Sequence, residues 1–357
     1  MIVLGIESSC DETAAAIVVD GVQVRSNVIA SQFDLHAEYG GVVPEIASRA
    51  HAERIRAVIR SALNSANVTL RDVDLVAVGH RPGLIGSLLV GVAAAKSLAW
   101  ALGRPLVGVD HLHAHLYAAA MTAPDPLAAY PALGLVVSGG HTSLFWCTSP
   151  TSLVRLGSTR DDAIGEAFDK VASILDLPQP GGPAIDRLAH APDANDRAFD
   201  FPIARLEHDS LDFSFSGLKT AVLYAVRGTP RRDVPGGFAR ETPAMLDDAR
   251  KRNLAASFQR AAVHAIVIKL RRAIDAVGEP PRSLLVGGGV SANSRLRREL
   301  MEFARTNGLS LHLPPVDMCV DNAAMIAALG ARVLVDRGPD DLTLTASPSA
   351  TSDAESV

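Results

Sequence analysis

The sequence predicts an α/β protein built from two similar halves, and three observations predict it. Apolar runs of strand length alternate with longer stretches of helical period along the chain. The 357 residues exceed one ordinary core and imply two domains sharing a cleft. "VLGIESSCDETAAAIVV" and "LGLVVSGGHTSLFWC" both read strand, small polar turn, strand, which suggests that each half opens on a hairpin.

Strands are expected at Ile2–Glu7, Ala14–Val19 and Val22–Ala30. Pro44 is a good first-turn residue and opens a helix to about Asn64. "DLVAVGH" (Asp74 to His80) is a strand, followed by an apolar helix after Gly83. "PLVGVD" leads into a helix carrying "DHLHAHLYAA", and a second strand series opens at Ala132. The later half is more helical: "AIGEAFDKVASIL", "AIDRLAHA" and "SGLKTAVLYAV" are amphipathic, and a helical region spans Pro243 to Ala276 with a break near Asp247. "SLLVGGGVSANSRLRREL" returns to strand, glycine turn and helix. The expected division is a lobe at 1–131, a second lobe at 132–338, and a small, polar, disordered tail at 339–357.

Hydrophobic content of 48% and charge of 20% exclude global disorder. Aromatics make up only 4%, so the core must pack through Ala, Leu, Val and Ile. A net charge of -5 excludes a chain wrapped wholesale in nucleic acid but leaves room for a local basic face. Two clusters either offer one or are helix-surface cations paired with nearby acids such as Glu299: Arg295, Arg297 and Arg298 in "RLRREL", and Lys269, Arg271 and Arg272 in "KLRRAI". Cys10, Cys147 and Cys319 form no CxxC pair, which speaks against disulfides or a cysteine zinc site and fits a reducing compartment. The start lacks a basic segment, so no signal peptide is expected. The apolar stretch Gly83 to Gly103 is cut by Lys96 and reads as a buried helix, not a membrane span. The expectation is a cytoplasmic protein.

Several motifs admit two readings. His111 and His115 stand at i and i+4 and share a helix face, while His113 points nearly opposite. The pair can grip a divalent ion, or it can be an ordinary satisfied pair; no glutamate stands between them as in H-E-x-x-H enzymes. Asp321 precedes an apolar helix and reads as an N-cap or as a third, oxygen ligand. Gly287, Gly288 and Gly289 make either a tight turn or a place where a nucleotide nears the backbone, with Asn293 in the first helical turn beyond. Asp169 and Asp186 can hold ribose hydroxyls, or, like Glu166 and Lys170, belong to a solvated face. Phe213 and Phe215 alternate with Ser214 and Ser216, as in a strand-like edge.

In order, "GIESSCDET", "HAEYGGVVPEIASRAH", "HLHAH", "VSGGHTSL", "DDAIGEAFDK", "PGGPAIDRLA", "DFSFSGLKT", "GGGVSAN" and "DMCVDNAAMIA" resemble the bacterial TsaD (Gcp) family, from about Met1 to Arg337. The resemblance implies an actin-like ATPase (ASKHA) fold with two related lobes around a central cleft. It implies that His111, His115 and Asp321 hold one divalent metal ion, iron(II) with zinc as the alternative. It also implies that Val136, Val137, Ser138, Gly139 and Gly140, with Asp169, Gly182, Asp186 and Asn293, bind an adenylate substrate. The family's reaction moves threonylcarbamoyl from threonylcarbamoyl-adenylate to N6 of adenosine 37 in tRNAs reading codons that begin with A. A TsaB-like inactive relative and a TsaE-like ATPase are the implied partners, with no membrane.

Two positions depart from the family pattern. His113 and Ala114 replace the usual Glu and Gly, which removes a carboxylate from the neighbourhood of the ligands. Arg81 stands where G-P-G-L begins elsewhere. Asp11 and Glu12 at the first tip, and His141 at the second, are the candidate proton-handling residues. The rivals are a small-molecule kinase of the same fold, which should not need the histidine pair, and a catalytically idle nucleotide-binding scaffold.

Overall fold

Ten strands and ten α-helices make up the described part of the computed structural model, which covers residues 1–350 apart from 40, 204–206, 208 and 230–245. They fall into two compact units. The first comprises Met1–Tyr130, Cys147–Leu153 and the segment from His312 onward; the second comprises Pro131–Trp146 and Val154–Leu311. The expected blocks 1–131 and 132–338 differ from these units in that Cys147–Leu153 and the segment from His312, with the last helix, belong to the first unit.

In the first unit β1 (Ile2–Glu7), β2 (Glu12–Val19), β3 (Gln23–Ser31), β4 (Leu75–Arg81) and β5 (Leu106–Asp110) form one sheet in the order β3-β2-β1-β4-β5. β1 runs antiparallel to β2 and parallel to β4, and β4 runs parallel to β5. Their nearly unbroken runs of Val, Leu, Ile and Ala follow from burial on both faces. On one face lie α2 (Pro44–Ala66) and α3 (Ile85–Leu102), whose Ile55, Ile59, Val92 and Ala99 join Leu4, Ile6, Val76 and Val78 in one cluster. A short helix, α1 (Phe33–His36), precedes α2. The alternate residues Gly5 and Ala77 turn to the other face, where α10 (Ala323–Arg337) packs, with α4 (His111–Ala120) beside it. A Cβ on Gly5 would stand 2.3 Å from the Ala323 carbonyl oxygen, so that strand position tolerates only glycine. Small residues bring helix and sheet backbones together, which is how a core with few aromatics closes.

Among the described residues, α3 alone is long and apolar enough to cross a membrane. Its Leu88, Val92, Ala95 and Ala99 face is buried, and it packs on β4 and α2, while Ile85, Leu89 and Trp100 are exposed.

In the second unit β6 (Ala132–Val137), β7 (Thr142–Cys147), β8 (Leu153–Ser158), β9 (Ser283–Gly287) and β10 (Ser310–His312) form the order β10-β9-β6-β7-β8. Read from β8, this is the third, second, first, fourth and fifth strand of the series. The first sheet has the same order. The repeat too faint to establish from residue identity is thus present in the topology. α5 (Ile164–Ile174), α6 (Gly181–Ala189), α7 (Ser216–Arg227), α8 (Asp248–Ala276) and α9 (Ser294–Asn307) complete the unit. Asp247 caps α8, accepting from the Arg250 N–H at 2.7 Å, which accounts for a break at that residue; the expected start at Pro243 lies outside the described residues. Phe213 and Phe215 are buried, and Phe213 bridges Thr159 in the strand-like manner expected.

The disordered tail is a correction. Residues 339–350 lie along the ends of β4 and β5: the Asp340 N–H bonds the Leu106 carbonyl at 2.8 Å, and Asp340 Oδ2 accepts the Gly108 N–H at 2.7 Å. The Ser347 N–H reaches the His80 carbonyl at 2.9 Å, and Leu344 and Ala346 pack on the first core. Polar composition misled because several of these contacts run through backbone groups, which composition does not report. Residues 351–357 lie outside the described part.

Candidate metal and nucleotide sites

α4 leaves β5 without a loop. Asp110, the last strand residue, caps it: Oδ1 accepts from the N–H groups of Leu112 at 3.0 Å and His113 at 3.3 Å. Arg81 Nε donates to the other oxygen of Asp110 at 3.3 Å, so this departure from the family pattern steadies the cap. The helix then places His111 and His115 on one face, with ring centroids 4.7 Å apart. Asp321 Oδ1 lies 3.0 Å from His115 Nε2 and 3.5 Å from His111 Nε2. One ligand atom from each of these three residues falls within 4.8 Å of the others, and His113 is not among them. Asp321 is not the N-cap of α10, which corrects one of its two readings. Asn322 is, accepting from the Met325 N–H at 3.1 Å, and this leaves the neighbouring carboxylate to the imidazoles.

Burial opposes charge on His111, but the carboxylates of Asp321 and Glu7 outweigh it and raise that imidazole well above its ordinary range. Burial would raise Asp321, yet the two histidines hold it well below the usual carboxylate range. Burial lowers His115. Two imidazole nitrogens and one carboxylate oxygen form a donor set that fits iron(II) or zinc. A carboxylate does stand behind the ligand face, from another element. Glu7 on β1 is fully buried, with Oε2 3.2 Å from His111 Nδ1. Reading the sequence missed it, because only the motif containing Glu7, and no spacing to the histidines, marks it.

The tip between β1 and β2 is held from several sides. Ser8 Oγ donates to the Ser87 carbonyl at 2.9 Å, and the Leu84 N–H to the Ser9 carbonyl at 2.8 Å. Buried His51 of α2 lies 3.0 Å from the Cys10 carbonyl through Nε2 and 2.8 Å from Thr13 Oγ1 through Nδ1. Burial, with the negative charges of Asp321 and Asp11, pushes Glu12 up to about 9.

In the second unit β6 and β9 run parallel, and the glycine turn follows β9. Gly288 has φ +92°, and a Cβ there would lie 2.4 Å from the Val137 carbonyl oxygen. Only glycine lets this turn press against the end of β6, at the C-terminal edge where α/β sheets receive ligands. The tip Ser138–His141 closes through the Ser138 N–H to the His141 carbonyl at 2.8 Å, and the His141 N–H to Ser138 Oγ at 3.1 Å. Gly139, Gly140, Gly182 and Gly289 have open space where a side chain would stand. Asn293 is the N-cap of α9 rather than a residue of its first turn, with Oδ1 accepting the Leu296 N–H at 2.9 Å. Its amide donates to Gln259 Oε1 at 3.0 Å and to Asp186 Oδ1 at 3.3 Å. Asp186 also accepts from Gln259 Nε2 at 3.0 Å and Ser294 Oγ at 2.9 Å. Asp186 and Asn293 are thus brought together, joined by buried Gln259, which the sequence did not single out from a helix of small residues. Asp169 sits apart in this network, fixing the turn before Gly182 by accepting the Gly181 N–H at 2.7 Å. Glu166 and Lys170 pair at 2.7 Å, the solvated-face reading.

In the two basic clusters several cations are engaged within the protein, the paired alternative. Arg295 pairs with Glu299 at 2.7 Å and Asp196 at 2.8 Å, and Arg297 Nε donates to the Ser291 carbonyl at 2.7 Å. Lys269 is buried, with Nζ 2.5 Å from the Ser210 carbonyl. Arg298 and Arg271 are exposed.

A family model described as tRNA N6-adenosine threonylcarbamoyltransferase, TsaD, matches residues 23–328. The protein of that name from Moorella thermoacetica is 50% identical over 347 residues, spanning 97% of this chain and 96% of that one. Its counterpart from Rhodopirellula baltica is 50% identical over 333 residues, spanning 91% and 90%. HypF from T. kodakarensis superposes with a TM-score of 0.59 at 14% identity, over 94% of this chain and 48% of that one. Full-length HypF in a phosphate- and nucleotide-bound form gives 0.58. These structural likenesses speak for the fold alone, which is the actin-like ATPase architecture.

Proposed function

The chain belongs to the TsaD family of tRNA N6-adenosine threonylcarbamoyltransferases, and from that premise we propose how its residues share the reaction. It is an acyltransferase that modifies tRNA. The donor is threonylcarbamoyl-adenylate, the acceptor is the N6 amine of adenosine 37, and AMP leaves. AMP is a good leaving group, but the adenine amine is a poor nucleophile. The protein must therefore position that amine, polarise the carbonyl and take a proton.

In the second unit the open glycines at 139, 140 and 182 suit a phosphate approaching the backbone, while Asp186 and Asn293 suit a ribose and Asp169 keeps the turn in place. In the first unit His111, His115 and Asp321 would hold one divalent ion, iron(II) in our reading with zinc as the alternative. Such an ion supplies a Lewis acid for the carbonyl or an anchor for the threonyl group. Asp11 or Glu12 at the first tip takes the proton lost by the amine, and His141 is the alternative proton acceptor. Exposed Ile85, Leu89 and Trp100 on α3 offer an apolar surface to a TsaB-like relative, and a TsaE-like ATPase completes the set in the cytoplasm.

The closure of His111, His115 and Asp321 carries this reading against a small-molecule kinase, which has no need of it; an idle scaffold would keep the site, and only transfer activity separates it. The test supplies the chain and its two partners with threonylcarbamoyl-adenylate and a tRNA transcript. AMP release should require adenosine at position 37 and stop when guanosine replaces it. Release of ADP from ATP with a small acceptor, indifferent to tRNA, would instead favour the kinase.

A further inference from the structure

We infer that Glu7 is a positioning residue that sets the metal-binding face of His111 and the catalytic hairpin tip together; the inference rests on the metal reading above. Glu7 is fully buried, and among the described residues its one ion-pair partner is His111. Its two oxygens have separate duties. Oε2 lies 3.2 Å from His111 Nδ1, and Oε1 accepts the Ser9 N–H at 2.5 Å, one residue before the Cys10–Glu12 tip. With Nδ1 engaged, His111 is left with Nε2 for a ligand, the same atom that His115 turns to Asp321. A carboxylate behind a ligating imidazole fixes the ring and makes the outward nitrogen a better donor.

The seat for this carboxylate is built into the neighbouring strand. A Cβ on Gly79 of β4 would stand 2.6 Å from Glu7 Oε2, so the missing side chain at 79 makes the room. The arrangement also needs an acceptor at both oxygens. Glutamine has the same shape, but its NH2 must face either the Ser9 N–H or the proton on His111 Nδ1, a donor against a donor. One carboxylate is therefore required to hold the ligand and the tip at once.

The test strips the full-length protein of metal and titrates it with Co²⁺, following heat and the visible absorption that reports coordination geometry. Wild type, Glu7→Gln, Gly79→Ala and His111→Ala are compared, with the thermal midpoint of each. Gly79→Ala keeps the acid and displaces it, so it decides the matter if Glu7→Gln fails to fold. Wild type should bind one Co²⁺, and His111→Ala should bind none. Glu7→Gln and Gly79→Ala should bind about 10- to 100-fold more weakly, with a changed absorption spectrum. Wild-type affinity and spectrum in Gly79→Ala, or in a folded Glu7→Gln, would overturn the inference. Failure of wild type to bind, or unchanged binding by His111→Ala, would overturn the metal reading itself and this inference with it.

Discussion

His111→Ala and His115→Ala should each lose bound metal and about 10³-fold in transfer rate, while His113→Ala keeps both. The two active positions aim Nε2 at one carboxylate oxygen, 3.5 and 3.0 Å away, so either truncation leaves only two ligands. His113 lies outside that cluster; its backbone N–H serves the Asp110 cap, which alanine preserves. Elemental analysis of the purified variants beside their transfer rates checks this, and a full complement of metal in His111→Ala would contradict it. A pH dependence follows from the same site. Asp321 and Glu7 hold a proton on His111 above the ordinary range, despite burial, and a metal must displace it. Metal affinity should therefore fall as pH falls.

Asn293→Ala and Asp186→Ala should weaken AMP binding about 10- to 100-fold, equivalent to about 1.4 to 2.8 kcal/mol, without touching metal binding in the first unit. Each substitution breaks a network at the foot of α9. Loss of the Asn293 cap costs about 1 kcal/mol of helix stability. Loss of Asp186 leaves the amides of Gln259 and Asn293 and the Ser294 hydroxyl without their shared acceptor. The fold should survive these changes, a thermal melt of each variant being the control. Calorimetry with AMP is the measurement, and unchanged affinity in both variants would move the nucleotide elsewhere.

What was legible in the chain follows from where the physics is local. The i,i+4 spacing of His111 and His115 is a property of one helix, and it marked the shared face correctly. The hairpin β1–β2 and the strand at Ala132 were legible because apolar runs end at small polar turns. Asp321 was ambiguous for a local reason: either it or Asn322 suits a cap, and only the folded chain decides between neighbours. Glu7, His51 and Gln259 depend on partners 104, 38 and 34 residues away, and no periodicity carries that information. The same limit explains Lys269 and Arg295, which look basic in sequence but are engaged by a distant carbonyl and carboxylate. The tail failed for another reason, since its contacts with β4 and β5 are made largely by backbone groups that composition does not report.

The most direct measurement of the central claim is a reconstitution titration. The chain is stripped of metal, iron(II) or zinc is restored in steps, and threonylcarbamoyl transfer to tRNA is quantified at each occupancy with both partners present. Transfer should be negligible at the start, rise in proportion to bound metal, and level off at one ion per chain. Full transfer by the stripped protein, or a rise that ignores occupancy of the His111, His115 and Asp321 site, would contradict it.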